Sequence, residues 1–230
     1  MPEFFNVLPP AQALKVLLDR LEPRPVSPAM DVPITEALGR VTAQVTHATE
    51  DLPSFPRSTM DGYSLRAADT FGASEGTPAY FTIAGDVPMG KPAGVSVGTG
   101  NAALAYTGGM LARGADAVIM VENTQQVDAT TIEVIRPVAH GENVVQPGED
   151  VKRGEVILPA GHYLRPQDLG GLTAMGITAV SVAAKPRVAI LSLGDEVVAP
   201  EATPSEGQIR DINTYTISAL VEQAGGVPLP

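Results

Sequence analysis

The chain has 230 residues, of which 44% are hydrophobic and 18% charged, a composition that allows a substantial buried core. Its formal net charge of -11 excludes a general nucleic-acid binder, because such proteins hold phosphates with clustered lysine and arginine. The absence of cysteine excludes disulfides and thiolate metal sites, and no run of about 18 apolar residues predicts a membrane span. With no signal-like N-terminus, these features predict a cytoplasmic protein that binds neither nucleic acid nor membrane.

The N-terminal part of the chain predicts a helix, a strand and an irregular crossing. Four leucines at helical spacing, with prolines before and after them, predict an amphipathic helix over residues 11–22. Val41 to Thr46 predicts a strand. The proline-spaced stretch from Leu52 to Arg57 predicts a crossing between domains.

Residues 61–138 predict a small β domain, in which Tyr63 and Leu65 belong to the first strand. Gly62 is expected to permit a tight or positive-φ turn. Short apolar runs then alternate with glycine-rich turns; the runs are Tyr80–Ala84, Ala102–Tyr106, Ala117–Val121 and Ile132–Val138. Because the run at 117–121 is apolar on both faces, it is expected to be a central strand.

The remaining elements predict further strands and two helices. Val156–Leu158 and Val180–Val182 predict strands, and residues 166–176 predict a helix with proline at its start and glycine at its end. Residues 188–191 predict a buried strand, which a turn and a helix with an apolar face at 217–224 follow. The next parallel strand is expected near residue 227, and one βα unit cannot bury both faces of a sheet.

Four stretches form an ordered set along the chain. They are STMDGYSLRAAD (58–69), YTGGMLARGADAVIMVE (106–122), NVVQPGEDVKRGEVILPAG (143–161), and AILSLGDEVVAP (189–200) followed by GQIRDINTY (207–215). In this order and spacing they resemble the MoeA family of molybdopterin molybdenumtransferases, which includes the E domain of gephyrin. The resemblance covers essentially the whole chain and implies a truncated N-terminal portion of such a protein.

The resemblance implies a mixed α/β multidomain fold. An elongated, discontinuous dimerisation domain is expected at 1–50 and 141–184, with an inserted, barrel-like small β domain at 51–140. Residues 185–230 are expected to begin a parallel-sheet α/β domain that binds molybdopterin, and the helix at 11–22 is a candidate to pack on it. Family members are elongated homodimers, so a homodimer is expected.

The implied activity belongs to molybdenum cofactor biosynthesis. Family members insert molybdate into adenylylated molybdopterin and release AMP with the help of Mg²⁺, although this fragment alone is expected to be inactive. Two alternatives remain open. One is a non-catalytic dimerisation or interaction module of the same family, and the other is a generic nucleotide-binding α/β protein.

The resemblance also implies the site residues. Asp61, Asp150 and Glu196 match catalytic acids, and Asp61 and Glu196 are the candidate metal ligands. The candidate substrate-binding residues are Ser58, Thr59, Thr107, Gly108 and Asp195. Asp195 and Glu196 should lie beyond the carboxyl end of a parallel strand, where open α/β sheets bind ligands, and carboxylate oxygens suit Mg²⁺.

Each of these residues also has a structural interpretation. For Asp61 it is a turn acid, for Asp150 a turn cap and for Thr107 a strand-end packing residue. The chain departs from the family pattern at Ala112, Gln146 and Leu193, where proline, arginine and a small polar residue are usual. The three histidines are scattered, none at metal-ligand spacing with another, and are interpreted as surface or hydrogen-bonded residues.

Overall fold

The computed structural model describes residues 8–20 and 28–230, which form three α-helices and sixteen strands. The helices are α1 (Pro10–Arg20), α2 (Pro166–Ala174) and α3 (Asn213–Gln223). The strands are β1 (Ala29–Pro33), β2 (Thr46–His47), β3 (Arg57–Ser58), β4 (Gly62–Leu65), β5 (Ala79–Asp86), β6 (Asn101–Ala105), β7 (Ala117–Met120), β8 (Thr124–Gln126), β9 (Thr131–Val134), β10 (Val144–Val145), β11 (Val156–Leu158), β12 (Ala179–Ala183), β13 (Arg187–Ala189), β14 (Val197–Val198), β15 (Ile209–Arg210) and β16 (Val227–Leu229). The chain divides into two compact units, residues 47–156 and residues 1–46 with 157–230.

The unit at 47–156 is built around a six-stranded sheet with the order β7-β4-β6-β5-β9-β8. All neighbouring strands are antiparallel except β5 and β6, which run parallel. Its main core packs side chains from five strands and from the loop after β9. They include Leu65, Phe81, Ile119, Ile132 and Val138. The strands predicted between residues 61 and 138 are confirmed, although the last one ends at Val134.

Strand β7 lies at an edge of this sheet, so the predicted central position is wrong. Its residues are nevertheless buried, because the segment at 139–145 covers the free edge. The Val118 N–H donates to the Glu142 carbonyl at 3.1 Å, and the Asn143 side-chain amide donates to the Val118 carbonyl at 2.9 Å. A covering loop satisfies the edge groups as a neighbouring strand would.

The second unit has a core around the antiparallel pair of β1 and β12. Buried Val32, Val180 and Val182 from these strands pack with Leu172 of α2. Helix α2 has proline at its first position and is followed by Gly176 at φ +70°, as predicted for this segment. The sequence analysis did not predict β1, whose run is short and bounded by prolines.

The predicted strand at 41–46 is not continuous. Val41 forms an isolated bridge with Tyr163 and Thr42 another with Val182, so consecutive residues pair with different segments. The buried Thr42 hydroxyl donates to the Pro159 carbonyl at 2.7 Å and accepts the His162 N–H at 2.9 Å. These long-range bonds replace a regular ladder, and strand structure returns only at β2.

Residues 187–229 form a βαβ arrangement. Strand β13 precedes α3 in the sequence, β16 follows it, and the two strands pair in parallel. The predicted strand, helix and next parallel strand are therefore confirmed. The prediction of a buried strand is wrong for β13, whose three residues are all exposed, although Ile190 directly after it is buried. Two paired strands and one helix leave both sheet faces without a full cover.

Helix α1 covers the predicted helix as far as residue 20, and none of its residues is buried. Residues 21 and 22 of that prediction lie outside the described residues. No helix in the described part of the chain is both long and apolar enough to cross a bilayer. The division into domains at 50/51, 140/141 and 184/185 stays a prediction.

Candidate active site

The clearest polar arrangement joins Asp61 and Thr107. Asp61 directly precedes β4 and Thr107 follows the end of β6, and these antiparallel strands place Gly62 opposite Ala105. Both the backbone N–H and the hydroxyl of Thr107 donate to Oδ1 of Asp61, at 2.8 and 3.0 Å. Oδ2 accepts no hydrogen bond from the described residues and remains available to a ligand.

The Asp61 carboxyl is exposed and held as an anion. The backbone N–H of Thr107, assisted by the threonine hydroxyl, holds the pKa of Asp61 below its ordinary value. Donors that stabilise the charged form lower a carboxyl pKa in this way. The site therefore presents a fixed negative charge with one uncommitted oxygen.

Gly62 is required for close strand approach rather than for a turn. It lies in β4 between β6 and β7 and has no positive φ, so the expected positive-φ turn is not found. A Cβ at this position would stand 1.9 Å from the carbonyl oxygen of Ile119. Because Gly62 has no side chain, β7 can lie directly against the residue that follows Asp61, and this close packing fixes the backbone at the site.

Three other predicted residues lie at the same corner. Ser58 and Gly108 are joined because the Gly108 N–H donates to the Ser58 carbonyl at 2.7 Å. The Ser58 side chain is buried and its hydroxyl donates to the Met60 carbonyl at 2.6 Å. Thr59 is exposed and donates its N–H to the Asn143 carbonyl at 3.0 Å. Ser58 thus supports the corner from inside, whereas Thr59 and Thr107 face solvent.

Asp150 is held by a cation that the sequence analysis did not single out. Arg57, in β3, donates to the Asp150 carboxylate at 3.2 Å, and both side chains are exposed. Strand β3 pairs with β10, which places Arg57 opposite Val145. The signal was present in the sequence only as an arginine beside the Ser58 motif, and nothing in the spacing indicated its partner.

The acids of the other unit lie on a turn after β13. Asp195 and Glu196 are both exposed, and a Cβ at Gly194 would stand 2.8 Å from a carboxylate oxygen of Glu196. Ser192, before this turn, donates its hydroxyl to Asp211 at 3.0 Å. Asp211 also accepts the Thr214 N–H at 3.1 Å, so it ties the turn to the start of α3.

The donors fit part of a magnesium site. Asp61 has a free carboxylate oxygen, and the Glu196 carboxylate is exposed; both are hard oxygen ligands. Within the described ranges, no group of three or more His, Asp or Glu residues could hold a metal ion. Mg²⁺ commonly uses one or two carboxylates together with water and substrate phosphates, so either carboxylate has the chemistry to supply one such ligand.

The family model of the MoeA N-terminal region (domain I and II) matches residues 8–176. The chain belongs to the MoeA family. A crystal structure of the MoeA protein from Pyrococcus horikoshii OT3 matches it with a TM-score of 0.85 and 40% identity. That match covers 97% of this chain and 59% of the Pyrococcus chain. The resemblance seen in the sequence and the mixed α/β fold are thereby confirmed.

Curated relatives match the chain over almost all of its length. A putative molybdopterin biosynthesis protein from Methanocaldococcus jannaschii is 34% identical, and a molybdopterin molybdenumtransferase from Staphylococcus aureus strain Mu50 is 30% identical. Each match covers 96% of this MoeA chain, and 55% and 52% of the relatives. The chain therefore spans about half the length of these relatives. The roles of its individual site residues stay predictions.

Proposed function

We propose that this chain supplies the N-terminal part of a molybdopterin molybdenumtransferase in molybdenum cofactor biosynthesis. The reaction inserts molybdate into adenylylated molybdopterin and releases AMP. The observation that carries the proposal is the Asp61–Thr107 pair, in which a motif acid is fixed through one oxygen and free at the other. The names of the relatives support the reaction class.

Asp61 has the chemistry that this reaction needs near the substrate. A fixed carboxylate can orient a water molecule, accept a proton or bind a cation that contacts phosphate oxygens. Thr107 keeps the carboxyl ionised, because its two donors stabilise the anion. An ionised acid beside an anionic substrate needs a positive charge between them, which is consistent with a cation at Oδ2.

Mg²⁺ is the proposed cofactor, and Asp61 and Glu196 are each a candidate carboxylate ligand for it beside substrate oxygens. When bound, it would neutralise charge on the phosphates of the nucleotide. Asp195 and Glu196 lie after a strand that pairs in parallel, which is where open α/β sheets bind ligands. We further propose that the active protein is a homodimer.

The proposal predicts that Asp61→Asn lowers molybdate-dependent AMP release by about 10²-fold or more, since a charged carboxylate is lost. The reaction is measured with adenylylated molybdopterin and the protein that contains this chain. Thermal unfolding of the same variant should change little, because an exposed substitution is usually worth less than about 0.5 kcal/mol.

Asp128 provides a matched control. Its Oδ1 accepts the N–H and the hydroxyl of Thr130 at 2.7 and 3.0 Å, so the local geometry repeats that of Asp61. Asp128→Asn removes the same charge from an exposed loop and should leave AMP release unchanged. Full activity of Asp61→Asn, or an equal loss in both variants, would contradict the assignment of Asp61.

A further inference from the structure

A cavity of about 260 Å³ adjoins the candidate site at Gly108, the residue after Thr107. It lies within the unit at 47–156, between the glycine segment after β6 and the loop at 90–92. Its lining residues are Phe55, Gly90, Lys91, Pro92, Gly108, Gly109 and Met110. Gly108 is also a predicted substrate-binding residue, whereas the other lining residues have no role assigned above.

The glycine wall of the cavity is fixed by hydrogen bonds. The Ser58 N–H donates to the Gly109 carbonyl at 2.9 Å, and Gly108 returns a bond to Ser58. A Cβ at Gly109 would stand 2.9 Å from the Tyr106 carbonyl oxygen and 3.1 Å from the Met89 sulfur. Gly109 is therefore required by the close packing of Tyr106 and Met89, which holds this wall of the cavity in place.

The opposite wall is held to the glycine segment through sulfur. The Ala93 N–H donates to the Met110 sulfur at 3.3 Å, and the Lys91 N–H donates to the Pro88 carbonyl at 3.2 Å. The loop thus has a defined conformation next to the cavity. The Pro92 ring on this loop, the Met110 side chain on the glycine segment and the half-buried ring of Phe55 make the lining mainly apolar.

Lys91 is the charged residue of the lining, and no acid lines the cavity. In the portion of the chain that the structure describes, its ammonium group has no hydrogen-bond or ion-pair partner. Lys91 therefore places an unneutralised positive charge beside a predominantly apolar lining. The combination favours a ligand with a flat apolar face and a negative group.

We propose that this cavity seats one flat nitrogen heterocycle whose anionic substituent meets Lys91. Its volume is below the roughly 300–1,000 Å³ of sites for drug-sized ligands, so it suits a single ring system. The assignment rests on the proposed function, since a pterin and an adenine are the two rings of that substrate. Both share the same chemistry, and the experiment below distinguishes them.

The test uses 6-carboxypterin as an anionic ring, unsubstituted pterin as a neutral one, and AMP as the alternative ring source. Pterin fluorescence is followed during titration of the protein, which contains no tryptophan. The proposal predicts binding of 6-carboxypterin with a Kd of about 1 mM or tighter. Displacement by AMP assigns the cavity to adenine, and its absence assigns the cavity to the pterin.

Two substitutions separate the ring contact from the charge contact. Phe55→Ala should weaken both pterins about fivefold, because it removes the aromatic face. Lys91→Met should raise the Kd of 6-carboxypterin about threefold to fivefold, as expected for loss of an exposed charge pair, and should leave the Kd of neutral pterin unchanged. Phe71→Ala and Lys152→Met, which change exposed residues away from the cavity, should bind both probes as the wild type does.

The proposed ring-binding role of the cavity would be overturned, whatever the enzyme activity, by either of two results. One is unchanged 6-carboxypterin binding in both Phe55→Ala and Lys91→Met, and the other is no binding of 6-carboxypterin to the wild type. AMP release by the wild type is measured in parallel. If the wild type releases no AMP but still binds 6-carboxypterin in a way that depends on Phe55 and Lys91, the proposed reaction is contradicted and the ring-binding role of the cavity is supported.

Discussion

Among residues 8–20 and 28–230, three aspartates have carboxyls stabilised by a threonine, and they differ in where that threonine lies along the chain. The donors to Asp128 and Asp211 lie two and three residues further along the chain, as in local turns and helix starts. The donor to Asp61 lies 46 residues away, at the end of another strand. In all three a hydrogen-bonded threonine lowers the carboxyl pKa, so the shift alone does not mark a site. The long-range origin of its partner distinguishes Asp61.

The hydrogen-bonded carboxylate of Asp168 makes the stability of the fold depend on pH. Its carboxylate is nearly buried and is contacted by Arg165 at 3.0 Å and by His162 at 2.8 Å. The hydrogen bonds from the Arg165 side chain hold the pKa of Asp168 well below its ordinary value. A depressed folded-state pKa contributes stability above the unfolded-state pKa, and this contribution is lost as pH falls below it. The thermal midpoint should therefore fall as pH is lowered from about 4.

The Asp168→Asn variant should have a lower midpoint at pH 7 and a shallower decline on acidification. Asp31→Asn is the control, because Asp31 is exposed in the same unit and its carboxylate has no partner among residues 8–20 and 28–230. Thermal unfolding followed between pH 7 and pH 3 measures both. An equally steep decline in the Asp168→Asn variant would show that this contact does not stabilise the fold.

Individual residues could be predicted from the sequence only where the motif itself contains them. Asp61 and Thr107 were both named as site residues, but their direct hydrogen bonds depend on the pairing of β4 with β6. Arg57 was missed as the partner of Asp150 for the same reason. The histidines were interpreted correctly where bonds are seen, since His47 contacts the Gly154 carbonyl and His162 contacts Asp168.

Among the elements, β4 depends most on a single residue. Gly62 lies where a Cβ would meet the Ile119 carbonyl oxygen at 1.9 Å, a backbone atom that cannot move without displacing β7. Gly62→Ala should therefore destabilise the protein by about 3 kcal/mol or more, as overpacking against fixed backbone does. Chemical denaturation of the purified variant measures the free energy of unfolding.

Gly76 is a suitable control for this substitution. It lies in the same unit, and nothing stands within 4 Å of a Cβ built there. Gly76→Ala should change the free energy of unfolding by less than about 1 kcal/mol. A Gly62→Ala variant as stable as Gly76→Ala would mean that β4 and β7 do not approach as closely as described.

Two predictions about strands were wrong because they depend on which segment the strand pairs with. An apolar run such as residues 117–121 indicates burial on both faces, but burial by a loop at a sheet edge produces the same pattern as a central position. The run at 41–46 has strand composition, yet Val41 and Thr42 pair with different segments. Composition predicts the tendency to extend, whereas the partner is set by residues far along the chain.

For the whole molecule, the order of elements was more predictable than their grouping. Helix and strand positions in both units follow from local periodicity, proline and glycine, as in α2 and the strands of the six-stranded sheet. The structure groups the chain into residues 47–156 and the remainder. The proline-spaced crossing and the run of short strands indicated the β domain from the sequence, but which distant segments group together depends on long-range contacts, so the discontinuous domain was proposed from the family resemblance.

We propose that Thr107 acts in catalysis by holding Asp61, and a double-mutant cycle on AMP release measures the coupling between the two residues. Thr107→Val removes the hydroxyl that donates to Oδ1 but keeps the backbone N–H, so turnover should fall about tenfold. The double variant with Asp61→Asn should be no slower than Asp61→Asn alone, because residues that act as a unit are not additive. A loss in the double variant equal to the product of the two single losses would show that Thr107 and Asp61 act independently.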